Sequence, residues 1–123
     1  MDKKQIINAM LQIPETLKKI PTQPFYVIAT GIKNSLRNSD VSNEDLRSEL
    51  LIKPHLINEW LAYSEDKRVS NGWFFRHIDS ITYEVGFCEN RKGIIKSFIF
   101  DDAAEACAFF VNKEAEHLGF IGI

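Results

Sequence analysis

Apolar positions change their spacing once along this chain, near Gly72. Before it they recur at intervals of three and four, the period of a helix with one buried face; after it they alternate, the period of a strand. In residues 3–12, Ile6, Ile7, Met10 and Leu11 form one such stripe. Pro14 interrupts it and suits the first position of a further helical turn, where a missing N–H is harmless. Pro21 and Pro24 mark a loop, and Phe25, Ile28, Ile32 and Leu36 resume the helical interval. Ser42 is placed to accept the Asp45 N–H as an N-cap, with Glu44 and Asp45 complementing the positive helix end. Leu46 and Leu50 face inward on that helix. Pro54 closes it and opens another, whose stripe is Leu56, Ile57, Trp60 and Leu61.

The second regime predicts three strands. "WFFRHI" is the first, and Asp79-Ser80 turns the chain. In "ITYEVGFC", Ile81, Tyr83, Val85 and Phe87 share one face and Thr82, Glu84, Gly86 and Cys88 the other. "ENRKG" is a turn in which Asn90 and Gly93 tolerate positive φ, and "IIKSFIF" is the third strand. Turns this short imply an antiparallel meander from about Gly72 to Phe100. Asp101 is placed to cap a last helix, Asp102 to Leu118, with Glu105 in its first turn. Ala103, Ala106, Cys107, Phe110 and Val111 form its buried stripe, small enough in part to lie close to the sheet. The expected fold is α+β: one domain over 1–123, with a helical half (1–69) and a βββα half (70–123). Trp60, Tyr83, Phe98 and Phe110 are the expected core. The strands are apolar on both faces, so helices should cover much of the sheet.

The chain has 123 residues, 45% hydrophobic and 26% charged, enough for one core without disulfide or metal support. A formal charge of -2 argues against a broad phosphate-binding surface, which needs clustered Lys and Arg. Cys88 and Cys107 show no CxxC spacing, and residues 1–19 lack the apolar core of a secretory signal. No stretch reaches the roughly 20 apolar residues of a membrane helix. These features fit a cytoplasmic chain with reduced thiols.

No catalytic set stands out. His55, His77 and His117 have no partner at metal-ligand spacing, so structural or surface roles are expected and no cofactor is implied. His77 and Cys88 could face each other across the first hairpin, but a nucleophile needs a lowered pKa and access to substrate. Cys107 falls on a helix stripe. Glu44/Asp45 and Asp101/Asp102 sit at helix starts, and Glu65/Asp66 precede Lys67 and Arg68, so local pairing accounts for them. The C-terminal "GFIGI" lacks the Lys-Ser/Thr of a phosphate loop. The aromatics Trp73, Phe74, Phe75, Tyr83, Phe87, Phe98 and Phe100 could stack nucleic-acid bases, but their neighbours mix acids with bases, which favours core packing.

Two elements in order carry a family resemblance. One is W-x-x-Y-S-x-D-K-R, Trp60 to Arg68, followed by the G-W-F-F strand of Gly72 to Phe75; the other is the acidic cap and E-A-C-A-x-F helix of Asp101 to Phe109. Over residues 50–118 the chain resembles immunity proteins of bacterial contact-dependent growth inhibition and related polymorphic toxin systems. The resemblance implies a non-catalytic protein that binds and neutralises one cognate toxin domain. Such toxins are commonly nucleases, including EndoU-like ribonucleases, and are blocked at the active site or substrate groove. It carries no binding residues over by motif. An inhibitor of a nuclease can present carboxylates to the basic groove, which makes Asp79, Glu84, Glu89, Asp101 and Asp102 candidates for toxin contact, then Glu65 and Asp66. Two other classes compete. Helices followed by a hairpin could be a winged-helix DNA-binding regulator, although "PHLINEWLAYSEDK" lacks a basic recognition face. A small enzyme could use Cys88 or a carboxylate pair.

Overall fold

The computed structural model describes residues 3–15, 41–67 and 71–117, apart from the side chains of Asp66, Lys67 and His117. The predicted helix at 25–38 and the loop before it lie outside these residues. The described elements are α1 (Lys3–Leu11), α2 (Asn43–Ile52), α3 (His55–Lys67), β1 (Gly72–His77), β2 (Tyr83–Glu89), β3 (Gly93–Phe100) and α4 (Ala103–His117). The fold is α+β, with one antiparallel sheet in the order β1-β2-β3. Helical geometry resumes after α1 at residues 13–15, around Pro14.

The local signals act as the chemistry of the chain requires. At the start of α2 the Asp45 N–H donates to Ser42 Oγ at 3.1 Å. The Ser42 N–H donates back to Asp45 Oδ2 at 2.9 Å, completing a capping box. Between β1 and β2 the chain reverses where Ile78 N–H donates to the Thr82 carbonyl at 2.8 Å. In the second turn positive φ falls on Arg91 and Gly93, not on Asn90. The last helix is capped by Asp102 rather than Asp101: Glu105 N–H donates to Asp102 Oδ1 at 3.1 Å. Both acids could cap, but only Asp102 also meets Arg47 of α2, with Nη2 2.8 Å from Oδ2. That contact selects the helix start and joins α2 to α4.

The core lies between the sheet and the helices. α4 packs on β1 and β2 with one side and on α2 with another. Ala104, Ala106, Cys107 and Ala108 are therefore all buried, and small side chains allow the close approach on both sides. Trp60, Phe75 and Phe110 are fully enclosed, with the Phe110 ring 6.0 Å from Trp60 and 5.7 Å from Phe75. The Trp60 indole N–H donates to the Leu11 carbonyl at 3.0 Å, tying α3 to the end of α1.

Two core expectations need correction. Tyr83 is half-buried against the core rather than enclosed. Phe98 is 40% exposed, although its ring lies 5.0 Å from that of Phe109. The cause is position: β3 is the sheet edge, and α4 lies mainly over the other two strands. The helices thus cover the sheet only in part, and β3 is exposed over nearly its whole length. Ile81, expected in the second strand on one face with Tyr83, Val85 and Phe87, belongs instead to the exposed turn before β2.

Candidate functional site

His77 and Cys88 both line a groove of about 510 Å³ along β1, with Leu61, Ser64 and Glu65 of α3 on its other wall. The strand register separates them. Cys88 lies opposite Gly72, five positions from His77, which is about 17 Å along a strand. Five positions also reverse the face, so the two side chains leave opposite sides of the sheet. The juxtaposition across the hairpin that the sequence left open is absent, and no proton can pass directly between them. The His77 ring instead packs on Tyr83, 4.5 Å between centroids. His55 Nε2 lies 3.3 Å from Glu15 Oε1 at the surface. Cys107 is enclosed, and burial pushes its thiol pKa well up, away from a reactive thiolate. Among the described residues no group of three or more His, Cys, Asp or Glu could hold a metal ion.

The candidate acids do not form one patch. Glu84 is buried, contrary to a role as a free surface charge. Its Oε1 accepts from Arg76 Nε at 2.7 Å and its Oε2 from Ser97 Oγ at 2.5 Å, so it links three strands. Burial pushes its pKa up, but these bonds outweigh that and hold the carboxylate below its ordinary range. Asp102 behaves alike: burial raises it, and the bonds from Arg47 and the Glu105 N–H more than reverse the effect. Glu89 pairs with Lys92, 3.3 Å away, at the β2–β3 turn. That turn is six strand positions from Tyr83, about 20 Å from the other end of the sheet. Glu65 faces the β1 groove. Asp66 is in α3, but its side chain lies outside the described residues.

Two of the seven remain exposed at one end of the sheet. Asp79 lies in the β1–β2 turn and Asp101 directly after β3; Tyr83 pairs with Phe100, which brings these two segments level. The Ile81 N–H donates to Asp79 Oδ1 at 2.9 Å. That bond, with others from Thr82, keeps the Asp79 pKa below its ordinary value. In the same β1–β2 connection as Asp79, Ile78 is 52% exposed and Ile81 72% exposed. Sequence reasoning missed this apolar element because Ile81 fits the alternation of β2; only the position of the turn takes it off the inner face. Also missed was Glu114, buried on α4, where Tyr63 Oη donates to its Oε2 at 2.8 Å. Burial and the adjacent carboxylate raise the Tyr63 pKa far above normal, so the phenol stays a donor. The signal in sequence was a Glu inside an otherwise apolar helix stripe.

The residues that carry the family resemblance are mostly structural. Trp60 and Phe75 are enclosed, Ser64 accepts the Phe75 N–H at 2.7 Å, and Ala106, Cys107 and Ala108 lie beneath the sheet. No protein-family model, curated protein or solved structure matches the chain. Among the described residues no helix is long and apolar enough to cross a membrane.

Proposed function

We propose that this chain is a cytoplasmic immunity protein, which neutralises a toxin domain by stoichiometric binding and performs no chemistry of its own. The observation that carries the reading is the exposed end of the sheet: Ile78, Asp79 and Ile81 in the β1–β2 connection, at the same end as exposed Asp101 after β3. Contiguous exposed apolar side chains with charges at their rim mark protein-binding surfaces. Carboxylates there suit a basic nuclease groove, speeding encounter and fixing orientation. The resemblance at Trp60–Arg68, Gly72–Phe75 and Asp101–Phe109 supplies the role, and it supports a shared scaffold more than a shared binding site.

The test is co-expression with the toxin domain encoded beside this chain, scored as rescue of growth, with titration calorimetry of the purified pair. A one-to-one complex is expected. Ile81→Lys should weaken it at least tenfold, and Asp79→Asn with Asp101→Asn should slow association and reduce its salt dependence. Neither substitution touches the core, so urea midpoints should hold. Absence of both rescue and complex would end the proposal; salt-steep binding to duplex DNA in a gel shift would replace it with the winged-helix reading.

A further inference from the structure

The β1–β2 connection, residues 78–82, closes through its backbone. The Ile78 and Asp79 N–H groups both donate to the Thr82 carbonyl, at 2.8 and 3.4 Å. The Asp79 carboxylate does something further. Its Oδ1 accepts the Ile81 N–H at 2.9 Å, the two-residue reach of an Asx turn. Hydrogen bonds from Thr82 meet the same carboxylate. The backbone at Ile81 is thus held from two positions back, and the rotamers open to a side chain depend on its backbone. Burial contributes little to that placement, since Ile81 is 72% exposed and Ile78 52%. A polar side chain here orders an apolar one that the core does not take up.

We propose that Asp79 is a positioning residue for toxin binding: its Asx turn fixes Ile81 as a pre-organised apolar anchor, apart from any attraction its charge exerts on the partner. The inference rests on the reading that this end of the sheet binds a toxin domain, and it divides that site by role. A loop that must be ordered on association weakens binding, and a loop ordered beforehand avoids that loss. Side chains that fill a partner's pocket carry much of an interface's energy, so holding Ile81 in place lengthens the life of the complex. Charge works differently: it acts at a distance, on encounter, and fades with salt. Asp79 therefore contributes twice, through one short bond and through its field, and the two contributions answer to different substitutions. Asp101, exposed directly after β3 at the same end of the sheet, supplies charge from outside this turn. Its loss should therefore change encounter alone.

Three substitutions separate the roles. Asp79→Asn keeps an Oδ1 acceptor and removes the charge. Asp79→Glu keeps the charge, but its extra methylene breaks the Asx geometry. Asp79→Ala removes both. In the free protein, amide hydrogen exchange at Ile81 should match wild type in Asp79→Asn and quicken about fivefold in the other two. With the toxin domain encoded beside this chain, Asp79→Asn should associate more slowly and with less salt dependence, at an unchanged off-rate. Asp79→Glu should keep wild-type association and dissociate about fivefold faster. In an Ile81→Ala background Asp79→Glu should change nothing further, a coupling that a merely structural turn would not show. Urea midpoints should stay together, since position 79 is exposed. If the midpoint falls for Asp79→Glu, Asp79→Asn against Asp79→Ala makes the same comparison at equal charge. Unchanged Ile81 exchange in the variants that lose the bond, or complexes of theirs as long-lived as wild type, would overturn the positioning role and leave the toxin reading in place. So would a faster off-rate that persists undiminished in the Ile81→Ala background. Absence of any complex with wild type would remove the toxin reading, and this inference with it, even where the exchange differences stand.

Discussion

Gly86→Ala perturbs the centre of the sheet on the face away from α4. A Cβ at Gly86 would lie 2.5 Å from Phe74 Cζ and 2.6 Å from the Lys96 carbonyl oxygen. Carbon contacts settle near 3.5–4.0 Å, so both neighbours would have to move by about an ångström. They differ in freedom. The Phe74 ring is half-buried and can swing toward solvent, leaving the Arg76 guanidinium that lies 5.2 Å above it. The Lys96 oxygen belongs to the backbone of β3 and moves only if β3 moves off β2. Overpacking costs typically 1–3 kcal/mol, and the fixed backbone obstacle argues for the upper half of that range. The lower entropy of unfolded alanine returns about 0.4–1 kcal/mol, leaving a net loss of about 1–2.5 kcal/mol. With a urea dependence of about 1–3 kcal/mol/M, the midpoint should fall by roughly 1 M. A double-mutant cycle separates the obstacles. In a Phe74→Ala background the ring is gone, so Gly86→Ala should cost less but still be destabilising, through Lys96. A Gly86→Ala midpoint equal to wild type would refute the reasoning, as would a zero cost in the Phe74→Ala background.

Phe110→Ala should destabilise by about 3–5 kcal/mol, because the ring is enclosed between Trp60 and Phe75; an unchanged denaturation midpoint would contradict that placement. Glu84 and Asp102 have lowered pKa values in the folded chain. Unfolded carboxyls titrate near pH 4, so their contribution is complete above that value and disappears as pH falls through the lower folded values. Stability should thus be level near neutrality and decline below about pH 5, and Glu84→Gln should flatten the decline; equal slopes for both proteins would remove Glu84 from the account.

The sequence alone determined the features that depend on neighbours a few positions apart. The period change at Gly72 announced where helix gives way to strand, because a side chain's face depends only on residue spacing. The Ser42 N-cap and the turn at Asp79-Ser80 were legible for the same reason: their partners lie within three or four residues. Long-range neighbours decided the rest. Phe75 and Phe98 read alike in sequence, yet one is enclosed and the other half-open, because α4 crosses β1 and β2 and leaves β3 at the edge. The sequence placed the cap at Asp101, and Arg47, from a distant helix, moved it to its equally acidic neighbour Asp102. Glu84 and Glu89 have the same chemistry, but Arg76 and Ser97 on two other strands occupy the first, while the second pairs locally with Lys92. His77 and Cys88 looked adjacent across a hairpin, and strand register set them far apart on opposite faces. In each case two residues of equal local character were given different environments by chain segments far away in sequence, and burial and charge pairing follow the environment.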